Sequence, residues 1–440
     1  MTQRDRRRGG ALDHCRAAEP RGTCAAMATD LAPTALSVAP PSSERTAAPA
    51  HVPPAHIVDF DYLNPDGIAQ SDVYTALKAL HALPDILWSP RHGGHWIVTR
   101  SEDIRWVRER HEIFSHTESG IPRGAMNVLM PPVTVDPPYH ARFRAVLNPA
   151  FTPSAARALA SHTRDVATRL IDALVARGKC EFVADFARIL PVVVFLKIMN
   201  LPEDRREEFV AWAVGYTSAK DQETKDSSAA AVAEFLAGEL DARERNPGDD
   251  LLSRIVAWRR NPRFQHEDEV LGMAMVTFIG GLDTLSNVLS FTAQHLARHP
   301  EARAELIAHP ERIPAAAEEY IRRHGLVMTG RLIRQDVTRK GVIMKADEML
   351  LVIDPLASID ERVWTDPMMI DFSRDTAVHD SFGNAEHKCL GEHLARMELA
   401  IFIEEWLHRI PDFALDPALP PVTYAAPVIG MSQLGLIWHG

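Results

Sequence analysis

The sequence predicts a mainly α fold with a minor β region, in a single domain that follows an N-terminal tail. Apolar residues recur at helical spacing over nearly every segment from Tyr139 to about Pro300. Short strand-like runs occur only near residue 97 and after Gly325. The 440 residues are 46% hydrophobic and contain no internal repeat, which is enough apolar material for one large core.

The first 52 residues differ in composition from the rest of the chain. They are rich in Ala, Pro, Ser, Thr and Arg and contain no aromatic residue. Such a segment cannot bury enough apolar surface to offset the entropy lost on ordering. We therefore expect a disordered tail over residues 1–52 and one domain over residues 53–440. Met27 is an alternative start, so residues 1–26 need not be native.

The net charge of −11 argues against a general affinity for nucleic acid or anionic membranes. No uninterrupted apolar run reaches the roughly 18–20 residues that a membrane-spanning helix needs. The basic start of the chain lacks the apolar segment of a signal peptide. The four cysteines show neither zinc spacing nor a disulfide framework. We expect a cytoplasmic monomer with at least one free thiol.

The first elements follow from periodicity and capping residues. Residues 72–83 predict a helix, residues 95–99 predict a strand, and Ser101 is expected to cap a helix that runs to about residue 110. An apolar, proline-rich loop follows over residues 118–138. Long loops inside compact domains are usually functional.

The later elements are a helical region, three short strands and a final helix. Residues 269–298 are apolar on several faces, which predicts one long central helix. Residues 331–334, 341–344 and 349–353 predict strands, and residues 391–409 predict the last helix.

The segment 381–393, SFGNAEHKCLGEH, carries most of the functional information. Cys389 directly precedes the final helix, where free backbone N–H groups and the helix dipole favour a thiolate. Gly383 and Gly391 permit close approach of a flat ligand, and His387 can donate to an anionic edge. A lone cysteine is more often a buried structural residue, but the spacing of Phe, Gly, His, Cys and Gly favours a ligand site.

The pattern F-G-x-x-x-H-x-C-x-G, leading into a helix, resembles the haem-binding loop of the cytochrome P-450 superfamily. The resemblance implies haem b (iron protoporphyrin IX) as cofactor and a helix-rich triangular prism as fold. It also implies that Cys389 is the proximal thiolate, that Phe382 packs beside the sulfur, and that His387 contacts a haem propionate, with Gly391 close by. Ala385 stands where the family usually has glycine, a position that tolerates small residues.

The predicted central helix contains the sequence GGLDT at residues 280–284. Two adjacent glycines in a helix cost roughly 1 kcal/mol each relative to alanine, so a compensating role is expected, such as space for a ligand. An acid followed by an alcohol can deliver the protons that cleavage of dioxygen requires. The resemblance makes this the oxygen-activation motif, with Asp283 and Thr284 as catalytic residues. Close helix packing at the glycines is the alternative.

Two further spacings match the family. Glu319 and Arg322 form E-x-x-R on one helix face, which alone would be a weak surface ion pair. The resemblance implies that this pair is buried, is completed by Arg374, and supports the haem loop. It further implies propionate contacts from His140 and Arg144, which match H-x-x-x-R, and from Arg331.

The likeness covers roughly residues 60–438 and is most specific for the bacterial camphor hydroxylases, through the segments 280–284, 310–316, 391–396 and 409–413. Camphor hydroxylase anchors its substrate ketone with a tyrosine in the loop that corresponds to residues 118–138. This chain has no tyrosine between Ser119 and Pro138 and aligns Val128 there. We expect hydroxylation of a compact apolar molecule, a monoterpenoid or norisoprenoid, with Asn127 as the nearest hydrogen-bonding group. The expected pocket residues are Val128, Met130, Val276, Ile279, Gly280, Val327 and Val428.

Electrons must come from outside, since no G-x-G-x-x-G follows a predicted strand. The resemblance implies a [2Fe–2S] ferredoxin, served by a flavin-dependent ferredoxin reductase, and O2 as co-substrate. Arg142, Arg144 and Lys388 are expected on the cysteine side of the haem, where they can dock the ferredoxin. The alternatives are a peroxide-driven haem-thiolate peroxygenase, a non-catalytic haem sensor and a helical interaction protein without cofactor; the acid–alcohol pair argues against the first two.

Overall fold

The computed structural model describes residues 45–65, 73–125, 128–218, 222–376 and 378–438. All of them belong to one compact unit, which spans residues 36–440. Residues 1–44 of the predicted tail, the alternative start Met27 and the candidate Asn127 lie outside the described residues.

Helices dominate the described part of the chain. Several begin where the sequence supplies a suitable first turn: Thr152 caps α4 by accepting a hydrogen bond from the N–H of Ala155, and proline opens α4 and α11. The helices are α1 (Val73–Lys78), α2 (Ser101–Arg108), α3 (His140–Leu147), α4 (Pro153–Val175), α5 (Ile189–Met199), α6 (Arg206–Ser218), α7 (Gln222–Arg245), α8 (Leu251–Val256), α9 (Glu267–Leu282), α10 (Thr284–Arg298), α11 (Pro300–Ala308), α12 (Ile313–Arg323), α13 (Asp354–Ser358) and α14 (Glu392–Arg409).

The largest described sheet has five strands in the order β1-β2-β8-β5-β3. Strands β2 and β8 run parallel, and the other neighbours in this sheet are antiparallel. Smaller sheets pair β4-β12-β9, β6-β7 and β10-β11. The strands are β1 (Ile86–Ser89), β2 (His95–Val98), β3 (Phe114–Ser115), β4 (Lys179–Glu181), β5 (Met328–Ile333), β6 (Val337–Arg339), β7 (Val342–Met344), β8 (Met349–Ile353), β9 (Ala414–Leu415), β10 (Val422–Tyr424), β11 (Gly430–Gln433) and β12 (Gly435–Ile437).

Helices α9 and α10 run through the core and join its two apolar clusters. Buried side chains of α10 pack with the five-stranded sheet and α14, whereas those of α9 pack with α5, α7 and α8. By length and composition Glu267–Arg298 is apolar enough to cross a membrane, but 72% of its most apolar stretch is buried inside the protein. This segment is therefore a core helix pair.

Residues 45–52, which the predicted tail includes, pack against the domain. Val52 is only 5% exposed, and the N–H of Thr46 donates to the carbonyl oxygen of Pro90 at 2.8 Å. Arg45 also pairs with Asp59, and His51 pairs with Glu348 at 3.0 Å. Residues 45–52 therefore belong to the packed domain, although the sequence predicted them as part of a disordered tail. No periodic pattern signals this attachment, because it depends on contacts with distant parts of the chain.

Several predicted elements have different limits in the structure. Ser101 is the first residue of α2 and does not cap it; its hydroxyl donates to Asp380 at 3.3 Å. The helix predicted over residues 269–298 starts at Glu267 and is broken at Asp283. The helix predicted over residues 72–83 ends in a 3-10 turn, the strand predicted at residue 331 starts at residue 328, and the last helix starts one residue late.

Candidate active site

The cysteine loop ends at the N-terminus of α14. The chain turns through positive φ at Gly383 (+72°) and at Ala385 (+58°). These turns bring the backbone N–H of Cys389 to the carbonyl oxygen of Phe382, with 2.8 Å between nitrogen and oxygen. Because α14 begins at Glu392, the sulfur lies at the positive end of the helix dipole.

The thiol of Cys389 is free and its residue is solvent-exposed, although many protein atoms surround the sulfur. Burial raises its pKa and outweighs the backbone N–H of Gly391, which donates to the sulfur and lowers that pKa. The carboxylate of Glu392 raises the pKa, and the guanidinium groups of Arg144 and Arg396 lower it. The protein by itself thus favours the neutral thiol, and a metal ion bound to the sulfur would displace its proton.

Phe382 lies half-buried beneath a fixed cation. The guanidinium of Arg396 is 4.7 Å from the ring centroid. Glu318 accepts hydrogen bonds from this guanidinium at 2.6 and 2.8 Å. Although burial opposes it, bonds from His379 and Arg396 lower the pKa of Glu318 to about 2. The ionised pair holds the aromatic side of the cysteine loop in place.

Three histidines meet beside the loop. The rings of His116 and His387 are stacked with centroids 3.4 Å apart, and the ring of His140 is 4.2 Å from that of His387. Burial, followed by nearby cations and histidines, lowers the pKa of His140 to about 4 and that of His387 to about 2, and lowers the pKa of His116 as well. All three rings are therefore neutral at pH 7.

Two buried arginines adjoin the histidines. Nη1 of Arg331 donates to the carbonyl oxygen of Gly330 at 2.6 Å, and burial lowers the pKa of Arg331 to about 9. Arg108 forms a buried ion pair with Asp354. Within the described residues, four buried nitrogens of this group have no hydrogen-bond partner: Nε of Arg108, Nε of Arg331, Nε2 of His140 and Nε2 of His387.

Arg144 serves the cysteine loop directly. Its Nη1 donates to the carbonyl oxygen of Lys388 at 2.9 Å, which ties α3 to the residue before the cysteine. His140, one turn earlier on α3, belongs to the histidine group. The two residues of H-x-x-x-R therefore have different contacts.

The break between α9 and α10 lies at the acid of the GGLDT motif. Asp283 is buried and leaves helical geometry, with φ −115° and ψ −38°. Its carbonyl oxygen accepts from the hydroxyl of Ser286 at 2.7 Å and from Nδ2 of Asn287 at 3.0 Å. The hydroxyl of Thr284 donates to the carbonyl oxygen of Gly280 at 3.3 Å. The backbone N–H of Asn287 still donates to the carbonyl oxygen of Asp283, but at a long 3.4 Å, so side chains supplement a weakened helical bond where the motif occurs.

The E-x-x-R pair is buried and bridges α12 to the stretch before the cysteine loop. Glu319 accepts from Nε and Nη2 of Arg322 at 2.7 and 2.8 Å, and both side chains are fully buried. Arg374 donates to Glu319 at 3.2 Å, and Arg322 also donates to the carbonyl oxygen of Ser358 at 2.6 Å. The three predicted support residues form one network.

Known proteins resemble this chain over most of its length. It is 32% identical to the probable cytochrome P450 127A1 of Sinorhizobium fredii, over 89% of this chain and 96% of that protein. It is 30% identical to the mycinamicin IV hydroxylase/epoxidase of Micromonospora griseorubida, over 78% of this chain and 89% of that protein. No protein-family model matches the sequence.

Two solved structures share the fold. The crystal structure of CYP101C1 superimposes with a TM-score of 0.83 at 33% identity and covers 90% of this chain and all of that one. The crystal structure of CYP101J2 superimposes with a TM-score of 0.81 at 30% identity, and the match covers 89% of this chain and all of that one. This chain is a cytochrome P450. The predicted family, the mainly helical fold and the enzyme class are confirmed, and the CYP101 structures confirm the predicted likeness to the camphor hydroxylases, which form that subfamily.

The P450 is a haem-thiolate monooxygenase with haem b as cofactor, and it uses O2 and a redox partner. The donors beside the cysteine loop fit this cofactor. Haem b carries two propionates, and the unpartnered nitrogens of the arginines and histidines are suited to carboxylates. A free cysteine at a helix N-terminus, bordering open space, is suited to be the axial ligand.

The predicted pocket residues lie on four segments of this P450. On α9, Val276, Ile279 and Gly280 share a face, and all three are more exposed than their buried neighbours. Val327 and Val428 are brought together by a β-bridge. Val128 is half-buried, whereas Met130 is only 4% exposed and so contributes mainly to packing.

The arginines Arg108 and Arg331, with His116, His140, His387 and the paired Asp354, are called the cation group below. Sequence reasoning missed three of its residues: His116, Arg108 and Asp354. His116 follows β3, Arg108 ends α2 and Asp354 begins α13. None belongs to a spaced motif, because the three come from distant parts of the chain. Only for Arg108 could the sequence have indicated a buried charge, because this residue lies with Val107 on the apolar face of α2.

Proposed function

We propose that this P450 hydroxylates a compact hydrophobic molecule, a monoterpenoid or a norisoprenoid. The observation that carries the proposal is the apolar lining beside Gly280, where Val276 and Ile279 share its face of α9. Such a pocket selects by shape, with about 1–3 kcal/mol per methylene. The segment with Val128 supplies no tyrosine for a ketone, so camphor should bind poorly.

The residues around the haem have separate proposed roles. Cys389 would hold the haem iron through its sulfur, beside which Phe382 would pack, and Gly391 donates its N–H to that sulfur. His140, Arg331 and His387 would bind the propionates, and Arg144 fixes the loop through the carbonyl oxygen of Lys388. When bound, the haem supplies the iron at which one atom of O2 enters a C–H bond and the other leaves as water.

Asp283 and Thr284 are proposed to deliver protons. The backbone of Asp283 departs from regular helical geometry, and Gly280, one turn earlier, leaves open space beside the helix. A carboxyl group and a hydroxyl at this point can pass protons to dioxygen while it is being reduced. A peroxide-driven reaction would not need them, because peroxide brings its own protons and electrons.

Ligand titrations test the substrate class. Ferric protein is titrated with 1,8-cineole, α-terpineol, β-ionone and camphor, and the low-to-high-spin shift is recorded. We expect a saturable shift with at least one of the first three and a weak shift with camphor, followed by a hydroxylated product under turnover. If none of the terpenoids produced a spin shift and a long-chain fatty acid produced a full one, the proposal would be contradicted.

The ligand assignment and the monooxygenase reaction have their own tests. The ferrous–CO band of wild-type protein should be strongly red-shifted, and Cys389→Ser should lose that shift. Asp283→Asn should lower product formation with NADH and the redox chain, yet retain product formation with added peroxide. Equal loss of both activities would argue against proton delivery, and no turnover in any assay would favour a haem sensor.

We propose that a [2Fe–2S] ferredoxin, with its flavin-dependent reductase, supplies the electrons in the cytoplasm. The supporting residues lie near the cysteine loop. Tyr139 is exposed, the guanidinium of Arg142 lies 4.2 Å from its ring centroid, and Lys388 is exposed. Positive charge here complements an acidic ferredoxin. Arg142→Glu should raise the KM for ferredoxin severalfold and leave the spin shift with substrate unchanged; an unchanged KM would exclude this surface.

A further inference from the structure

Arg108 reaches from α2 into the cysteine loop. A Cβ on residue 383 would lie 3.3 Å from Cζ of Arg108 and closer still to its Nη1. The glycine of the F-G-x-x-x-H-x-C pattern therefore leaves room for this guanidinium. Arg108 is 8% exposed, so the group is enclosed by protein next to the haem loop.

Asp354 orients the guanidinium. It begins α13, is 2% exposed, and forms an ion pair with Nη2 of Arg108. The ion pair fixes the Nη2 edge of the planar guanidinium, and Gly383 lies against its Nη1. Nε remains buried and has no hydrogen-bond partner among the described residues.

The charges around Arg108 leave positive charge in excess. Arg331 is the second buried arginine, at 2% exposure, and it lies close to His116, whose pKa is lowered first by burial and then by the charge of Arg331. Two carboxylates lie near this pair, and both already have partners. Asp136 accepts from the N–H of His116 at 2.8 Å and pairs with Arg334 at 2.9 Å, and Asp380 pairs with Arg105 at 2.7 Å. A buried N–H without an acceptor is unfavourable, and more so on a charged group, so an anionic acceptor belongs here.

We propose that Arg108, oriented by Asp354, binds a haem propionate and serves as a second arginine anchor beside Arg331. The proposal rests on the haem site at Cys389. Two guanidinium groups then face the two carboxylates that haem b carries. Asp354 is a positioning residue, since it acts through Arg108, and its charge also contributes to the potential at the haem.

Haem retention and reduction potential test this role without measuring turnover. Haem loss from the ferric holoprotein is followed by transfer to excess apomyoglobin, and the ferric/ferrous potential is measured in parallel. Arg108→Gln should lose haem about tenfold faster or more, since a charge-assisted hydrogen bond contributes about 1.5–3 kcal/mol. Its potential should fall, because a positive charge near the iron has been removed. Asp354→Asn should also lose haem faster, but its potential should rise.

Arg105→Gln is the matched control. Arg105 lies on the same helix and is ion-paired with Asp380 at 2.7 Å, but it does not belong to the cation group. It should keep the haem-loss rate within about twofold of wild type. Equal effects in Arg105→Gln and Arg108→Gln, or an unchanged rate in a folded Arg108→Gln protein, would overturn the proposal.

Arg108→Lys covers the case in which Arg108→Gln does not fold. Lysine keeps the charge but lacks Nε, so faster haem loss with a nearly unchanged potential is expected, and an unchanged rate would again overturn the proposal. A wild-type protein without a red-shifted ferrous–CO band would refute the haem site at Cys389 as well. With that band present, the outcomes above concern Arg108 alone.

Discussion

Gly281 of α9 lies directly against the ring of Phe195 on α5. A Cβ on residue 281 would be 2.7 Å from Cγ of that ring and closer to two other ring carbons, whereas a Cβ on Gly280 would meet nothing within 4 Å. The two adjacent glycines therefore serve different purposes. Gly281 permits close helix packing, the alternative that the sequence left open, and Gly280 has free space beside it.

Alanine substitutions should separate these purposes. Gly281→Ala is expected to lower the free energy of unfolding by about 1–3 kcal/mol, because the added methyl overpacks against Phe195. Gly280→Ala is expected to raise it by up to about 1 kcal/mol, since alanine favours helix and meets no neighbour. Thermal unfolding of the two holoproteins measures the difference. Equal destabilisation by both substitutions would contradict this account.

The positions of chemical motifs were predictable, and their surroundings were not. Cys389, Glu319 and the GGLDT motif were found because residue types with definite chemistry recur at fixed spacing. The break at Asp283 was not predicted, since the apolar pattern runs through it and the competing bonds come from the side chains of Ser286 and Asn287.

The cation group illustrates the limit of sequence reasoning. His140, Arg331 and His387 were assigned from the family resemblance, whereas His116 and Arg108 meet them only after three distant segments fold together. Tertiary contacts also override the local sequence preferences that predict where a helix begins. Ser101 is a good cap residue, yet its hydroxyl bonds to Asp380 and it lies inside the helix.

Ala385 is a non-glycine residue at a positive φ of 58° in the cysteine loop. The left-handed conformation costs an L-residue roughly 1–2 kcal/mol, and the extra freedom of glycine in the unfolded chain offsets part of the gain. Ala385→Gly should therefore raise the free energy of unfolding by up to about 1 kcal/mol. Denaturant unfolding of the holoprotein measures this change. Ala158→Gly on the exposed face of α4 is the control and should lower stability; a loss in both variants would show that Ala385 is not strained.

His95 should make stability depend on pH below neutrality. It is fully buried in β2, and burial, with His92 nearby, lowers its pKa from 6.5 to about 3. Between these values the unfolded chain binds a proton that the folded protein does not, so stability falls as the pH drops below about 6.5. From pH 7 to pH 5 the loss from this group is about 2 kcal/mol.

His95→Gln should remove that loss while keeping a polar group for the bond to the carbonyl oxygen of Arg91. The measurement is denaturant unfolding at pH 7 and pH 5, compared as a difference between the two proteins. His408→Gln is the control, since this residue is exposed on α14 and its substitution should leave the pH difference unchanged. The same pH difference in wild type and His95→Gln would assign the acid sensitivity to other histidines.

Val128 should control the recognition of a ketone. It is half-buried in the segment that leads to Met130, and its side chain offers no hydrogen bond. Val128→Tyr adds a phenol hydroxyl, and one neutral hydrogen bond contributes about 0.5–1.5 kcal/mol. Camphor should then bind about 2–10-fold more tightly in a spin-shift titration, whereas 1,8-cineole should bind no better. Val128→Phe adds the ring without the hydroxyl, so equal tightening in both variants would mean that ring burial, and not hydrogen bonding, sets the affinity.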